Sequence, residues 1–327
     1  MFPAGGIGLA ARSAGFMMFM GAGIAKVPVE TAMTTIRFCW PSSLRCRLRT
    51  PTFFSLLPVA GAAATLLAAG AAGAAPAPVT IGLPGALTAT FVPEAEKSAV
   101  TEAGASPPGH YFHPISTPRG VLTELFPPDH VHHRGLFWAW RQLLIDGKPV
   151  ANSWLMTGMK FRSMGVTRSH DGTRLEAAGR WRVGGRDVLE ERLSARVAGN
   201  VLILDLGLTP MVPGLSIGGS ADDKGYGGFS LRLVHSEALR FESGGRVLAP
   251  EAGPVEAGPE LRMTWDSGTP APAMAVRMAC SIDGKPINRW ILRRELSMQN
   301  CVWPGRDPVP LPMGKVARLG LRLTVEP

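Results

Sequence analysis

The sequence is poor in the residues that build helical bundles. Charged residues make up 18% and aromatics 7%, while 39 glycines and 29 prolines favour turns. That balance excludes an all-helical protein. Long apolar runs are missing after Ala75, where no stretch reaches 18 apolar residues, so the chain from Pro76 onward is expected to be soluble and to meet a membrane only through the segment before it. A basic stretch with interleaved aromatics is missing too. The formal charge of +9 gathers at the start, where residues 1–75 hold six Lys or Arg against one acid, leaving 28 against 24 for the rest. Nucleic acid is therefore excluded as a partner. Disorder is excluded for most of the chain by its hydrophobic share of 46%.

Cysteine is scarce. Cys39 and Cys46 fall in the first 75 residues, leaving Cys280 and Cys301. Their spacing has no zinc-ligand pattern. One disulfide and two independently buried thiols both fit.

Residues 1–75 read as a leader. Arg45, Arg47 and Arg49 form a positive lead-in, Phe53 to Leu67 an uncharged apolar core, and Ala72-Gly73-Ala74 supplies small residues for a signal peptidase. The alternative is an uncleaved anchor, since the uncharged stretch from Phe53 to Ala75 is long enough to span a bilayer. The part before Ser42 exceeds any ordinary leader, which points to initiation at Met33 or nearby. Residues 76–327 are then a single domain delivered to the periplasm or exterior.

From Pro76 onward short strands alternate with tight-turn dipeptides: Asp146-Gly147, Asp171-Gly172, Gly184-Gly185, Gly199-Asn200, Gly244-Gly245 and Asp283-Gly284. Arg180–Val183, Val188–Leu193 and Val201–Leu208 are expected to form an antiparallel meander. In its last strand Leu202, Leu204, Leu206 and Leu208 share one face and Val201, Ile203 and Asp205 the other, with both faces buried. Lys315–Val325 reads as a closing strand inside a sheet, and Ala95–Gly104 as a helical turn or two. With no repeat of fixed period, the pattern predicts an all-β fold, a large antiparallel β-sandwich or barrel, not a propeller.

The segment richest in chemistry is Phe126-Pro127-Pro128-Asp129-His130-Val131-His132-His133-Arg134-Gly135-Leu136-Phe137, which holds three of the seven histidines. The prolines keep it out of a central ladder. If it is extended, His130, His132 and Arg134 share one face, and Asp129 and His133 the other. Three readings are open. His130 and His132 can share a metal ion. One imidazole can donate or accept a proton in a sugar pocket, with Arg134 fixing an anionic or polyhydroxyl group. Or the imidazoles satisfy carbonyls under a loop, with Trp138 and Trp140 as core.

The string from Pro127 to Phe137 resembles the hallmark of the PmoA-like family of bacterial proteins. Tyr111–Ile115 followed by Thr117-Pro118-Arg119-Gly120, then Asn152-Ser153-Trp154, Lys224–Arg232 and the final strand are similar to further segments of that family, and together they span roughly residues 80–327. The chain departs from the family pattern at Trp154–Gly158 and in the tail after Trp290. The resemblance implies a β-sandwich similar to the galactose-mutarotase supersandwich, and a role in carbohydrate metabolism. A membrane methane oxygenase, which the family label suggests, is excluded because the chain after Ala75 has no spanning segment.

The resulting expectation is a secreted carbohydrate-active protein, either a mutarotase-like or lyase-like enzyme working by proton transfer or a binder using the same pocket. No cofactor is expected unless His130 and His132 hold a metal. His130, His132 and Arg134 are the candidate catalytic residues. His133, Asp129, His113, Trp138, Trp154, Asp223 and Lys224 are the candidate substrate-binding residues. On the Glu190-Glu191 pair one carboxylate must face inward, where it is a general-base candidate. His110 is expected to flank the cleft with His113, whereas His170 and His235 read as ordinary surface and strand residues.

Overall fold

Two-residue turns set the strand pattern. In the computed structural model, which describes residues 76–94, 109–234, 238–266 and 273–326, all six expected dipeptides close antiparallel hairpins. At Asp146-Gly147, Gly184-Gly185, Gly244-Gly245 and Asp283-Gly284 both residues have positive φ, the turn geometry whose twist matches that of the strands it joins. The leader, Ala95–Gly104 and His235 lie outside the described residues, all of which belong to a unit running from Ala68 to Pro327. Among the described residues there is no α-helix, and so none long and apolar enough to cross a membrane.

The fold is an antiparallel β-sandwich. One sheet of ten strands has Arg246–Leu248, Arg240–Ser243, Glu260–Trp265, Met274–Ile282 and Ala317–Val325 in that order, continuing through Val201–Pro210, Arg186–Ala198, Arg174–Val183 and Lys160–Arg168, with Lys285–Pro286 beside Met274–Ile282. The expected meander forms one side of this sheet, and the closing strand sits between Val201–Pro210 and Met274–Ile282. Leu202, Leu204, Leu206 and Leu208 are fully buried. The opposite face differs from expectation: Asp205 is exposed and Ile203 only half-buried, because that side of an antiparallel sheet meets water.

The second sheet has nine strands, with Val79–Gly82, Thr88–Glu94, Gly109–Thr117, Leu136–Trp140, Gly227–Arg232, Met298–Cys301, Arg289–Arg293 and Val255–Glu256 in order and Gly120–Val121 beside Gly109–Thr117. Its inward residues, among them Phe112, Trp138, Trp140, Phe229 and Trp290, join the leucines of the first sheet in one core. Cys280 and Cys301 form a disulfide. Since Cys280 lies on Met274–Ile282 and Cys301 on Met298–Cys301, it ties one sheet to the other.

Leu136–Trp140 is the strand that positions the site. All five residues are buried, because its two faces enter different clusters. Leu136, Trp138 and Trp140 point into the main core, while Phe137 and Ala139 point outward into a second cluster with Tyr111, Trp154 and Met298. The next outward position in this alternation is Arg141.

Candidate functional site

The histidine segment is coiled, not extended. His130 N donates to Pro127 O at 3.0 Å and His133 N to His130 O at 2.9 Å, making two successive turns, and Phe126 N closes their base on His133 O at 2.8 Å. The chain then enters its strand through Gly135 at φ 62°. A Cβ there would lie 2.3 Å from Phe112 O, so only glycine fits. Coiling removes the alternation an extended segment would impose. The His130 and His133 rings stack with centroids 4.7 Å apart and planes 10° from parallel, and His132 meets both edge-on at 5.6 and 4.8 Å.

These three rings line a cavity of about 690 Å³ on the outer face of the nine-stranded sheet, together with Asn152, Trp154 and Tyr226. Its charged lining is Arg141, Asp222, Lys224 and Arg293. Trp154 is held edge-to-face against Phe137 at 5.3 Å and lies 5.4 Å from the Tyr226 ring.

Asp129 stands behind His130. Its carboxylate accepts two bonds from the buried Arg232 guanidinium, at 3.1 and 3.2 Å, and its Oδ2 lies 3.0 Å from His130 Nδ1. Burial pushes the Asp129 carboxyl up, but hydrogen bonds from His130 and Arg232 and the Arg232 charge outweigh it and hold the group below its ordinary value. With Nδ1 committed to Asp129, the free polar atom of His130 is Nε2. His133 behaves differently. Burial, helped by the neighbouring His132, His130 and Arg232, pulls it down to about 2, so its ring is neutral at ordinary pH, and its buried Nδ1 has no hydrogen-bond partner.

On Asp222, burial is opposed by the Ser220 hydroxyl and the backbone amides of Gly225 and Lys224, and the carboxyl ends below its usual value. Tyr226 is raised by burial against the lowering effect of Arg293, whose Nε donates to its hydroxyl at 3.0 Å.

Of the expected site residues, the structure gathers His130, His132, His133, Trp154 and Lys224 on one cavity, with Asp129 bonded directly behind. Others sit elsewhere. Arg134 does not share a face with His130 and His132. Its buried guanidinium stacks over Phe137 at 4.5 Å and donates to His132 O at 3.0 Å and Ser153 O at 3.5 Å, holding the histidine loop from beneath. Burial lowers it to about 10, which leaves it a cation at neutral pH. Trp138 lies in the core between the sheets, near His110 and Phe229. His113 Nδ1 pairs with Thr123 Oγ1 at 3.0 Å, away from the cavity, and burial lowers its pKa. Asp223 points into solvent and pairs with Arg306 at 3.0 Å, whereas its neighbour Asp222 lines the cavity.

Glu191 is the inward carboxylate of the Glu190-Glu191 pair. It is enclosed in the core, where it accepts from Trp181 Nε1 at 2.9 Å and pairs with His110 Nδ1. That burial walls it off from the cavity.

Sequence reasoning missed Arg141, Tyr226 and Arg293 as site residues. Only Arg141 had a usable signal, the outward alternation of Phe137 and Ala139. Three imidazoles in so small a space suggest a metal; His130 and His132, the pair expected to share one, have ring centroids 5.6 Å apart and planes 77° from parallel, and His130 Nδ1 is engaged by Asp129. Among the described residues no group of three or more His, Cys, Asp or Glu could hold a metal ion.

Fold and site together define an antiparallel β-sandwich with a histidine- and arginine-lined cavity on the outer face of one sheet. Residues 90–327 match the family of unknown function DUF6807, and the chain belongs to that family. No curated protein matches it. Among solved structures it is similar to a candidate aldose 1-epimerase from Escherichia coli K12, at 12% identity and a TM-score of 0.46, covering 76% of this chain and 99% of that one. It is also similar to a galactose mutarotase related enzyme from Lactobacillus acidophilus, at 10% identity and a TM-score of 0.40, covering 77% of this chain and 98% of that one.

Proposed function

We propose that this protein binds a carbohydrate in the histidine-lined cavity and moves a proton on it, in the manner of a mutarotase or a lyase. The observation that carries the reading is the Arg232–Asp129–His130 chain opening on a cavity with an aromatic wall. An imidazole whose Nδ1 is held by a carboxylate can take a proton at Nε2, because the adjacent anion stabilises the imidazolium that forms, and can return that proton later. Asp222, kept anionic by its hydrogen bonds, is the opposing acceptor for a sugar hydroxyl. Trp154 is buried against Phe137 and Tyr226 and closes the cavity floor, which leaves the half-buried Tyr226 ring to meet the apolar face of a pyranose. Neutral His133 contributes no charge, so the proton chemistry falls to His130, with His132 beside it.

The resemblance to PmoA-like proteins, which implied carbohydrate metabolism, points the same way. Delivery to the periplasm or exterior belongs to the same proposal. It is supported by the leader pattern and by the Cys280–Cys301 disulfide, a bond that persists in oxidising compartments.

The test is a panel of free aldoses, ordinary glycosides and 3-keto glycosides, followed by calorimetry for binding and NMR for anomer exchange or elimination products. Saturable binding, with turnover lost in His130→Asn while binding persists, is the expected result. Binding without turnover of any of these sugars would make the cavity a recognition site only. No binding at all would end the carbohydrate reading.

A further inference from the structure

We infer that the sugar taken by this cavity is an acidic one, whose carboxylate or phosphate seats on the Arg141 guanidinium with Lys224 adding to its charge. The inference rests on the proposal above that the cavity binds a sugar. Its ground is an imbalance of charge. Arg141, Lys224 and Arg293 line the cavity and Asp222 is the one carboxylate that does.

Elsewhere on the molecule several arginines are matched by carboxylates: Arg262 by Glu242 and Glu326, Arg277 by Glu260 and Glu326, Arg180 by Asp187 and Glu190. Around the cavity the matching fails. Arg293 spends its donors on the Tyr226 hydroxyl and on the carbonyls of Glu251, Ala252 and Leu292, all neutral acceptors. Lys224 reaches Asp222 only at 3.9 Å. Arg141 is half-buried, and among the described residues no hydrogen bond or ion pair engages its guanidinium.

A half-buried guanidinium on a cavity wall with no protein partner keeps its donors for whatever enters the cavity. A planar anion restores it through two parallel N–H···O bonds, the arrangement in which arginine differs most from lysine. Arg293, already tethered by four bonds, supplies field and orients Tyr226, while Arg141 keeps its whole donor fork for the ligand. A neutral sugar would meet the fork only with hydroxyl acceptors, whose bonds are weaker than charge-assisted ones, and would make no use of the field.

Calorimetry on the full protein with glucuronate, gluconate, glucose 6-phosphate, glucose, acetate and inorganic phosphate, at low and high salt, tests this. Acidic sugars should bind at least about tenfold more tightly than glucose, the size expected of one charge-assisted hydrogen-bonded pair, and the advantage should shrink with salt. Whether the uronate or the phosphate wins identifies the source of the anion. Arg141→Gln should bring the affinity for acidic sugars down to that for glucose measured on the same variant, and Arg141→Lys should keep part of the preference. Glucose binding as tightly as the acids to the unmodified protein would overturn the anion seat and leave the sugar reading standing. Acetate and phosphate binding as well as the acidic sugars, with glucose not binding, would overturn both.

Discussion

The outer faces of the two sheets are built from the same residue types and do opposite things with them. On the ten-stranded sheet Arg262 and Arg277 converge on Glu326, which their hydrogen bonds pull down to about 2, and Glu242 and Glu260 complete the set. Both of these guanidinium groups have carboxylate partners, and the face is open to water. On the nine-stranded sheet the loops carrying His130–His133, Trp154 and Asp222 cover the face; Arg232 beneath them is held by Asp129 and Glu124, but Arg134 and Arg293 rest on carbonyls and a hydroxyl, and Arg141 has no bonded partner among the described residues. Matched charges keep a sheet soluble at little gain in stability. Unmatched charges in a covered cavity are a standing cost, and a cost retained at one place is how recognition sites differ from scaffold.

The largest effect should come from the link between the sheets. Cys280→Ser with Cys301→Ser opens a loop of about 20 residues and should lower unfolding free energy by about 3 kcal/mol, measured in urea against the oxidised protein. Intact mass with and without alkylation shows whether the bond is present in purified material. Arg134→Met comes next. It leaves His132 O and Ser153 O without their buried donor and should cost about 1–3 kcal/mol, with ligand binding weakened because the histidine loop loses its support. Loss of binding at unchanged stability would mean that Arg134 reaches the ligand after all.

His133 makes a pH-dependent contribution of definite sign. Its folded pKa of about 2 lies below the ordinary 6.5, so between those values the unfolded chain binds a proton that the folded protein refuses. Stability should therefore fall as pH drops below about 6.5, by up to ~1.4 kcal/mol per pH unit, with His113 adding to the slope in the same direction. Urea titrations at pH 7 and pH 5 should show a shallower loss in His133→Phe than in the unmodified protein. An unchanged slope would mean that the ring is solvated. The smallest effect belongs to the matched face, where Arg277→Gln should change stability by under about 1 kcal/mol and leave sugar binding as it was.

How much of this was legible in the sequence depended on how local each feature is. The six turn dipeptides act within four residues, so the hairpins, the meander and the closing strand could all be read. Asp129, His130, His132 and His133 were conspicuous by density alone. Their arrangement was not, since the two turns from Pro127 to His133 depend on the glycine that lets Gly135 pass Phe112 and on Arg134 reaching back to His132 O. Asp222 and Arg293 reach the cavity from a distant loop and a distant strand, which only sheet order brings near the histidines. Trp138 misled for a simpler reason: Phe137 and Trp138, successive on one strand, both aromatic and both buried, face different clusters.

A crystal structure of the protein with glucuronate tests the central claim most directly. The account predicts the pyranose ring in the cavity beside Tyr226, His130 Nε2 within hydrogen-bond distance of a sugar atom, and the carboxylate on Arg141. The sugar found on the outer face of the ten-stranded sheet, or in the cavity with His130 turned away from it, would contradict that account.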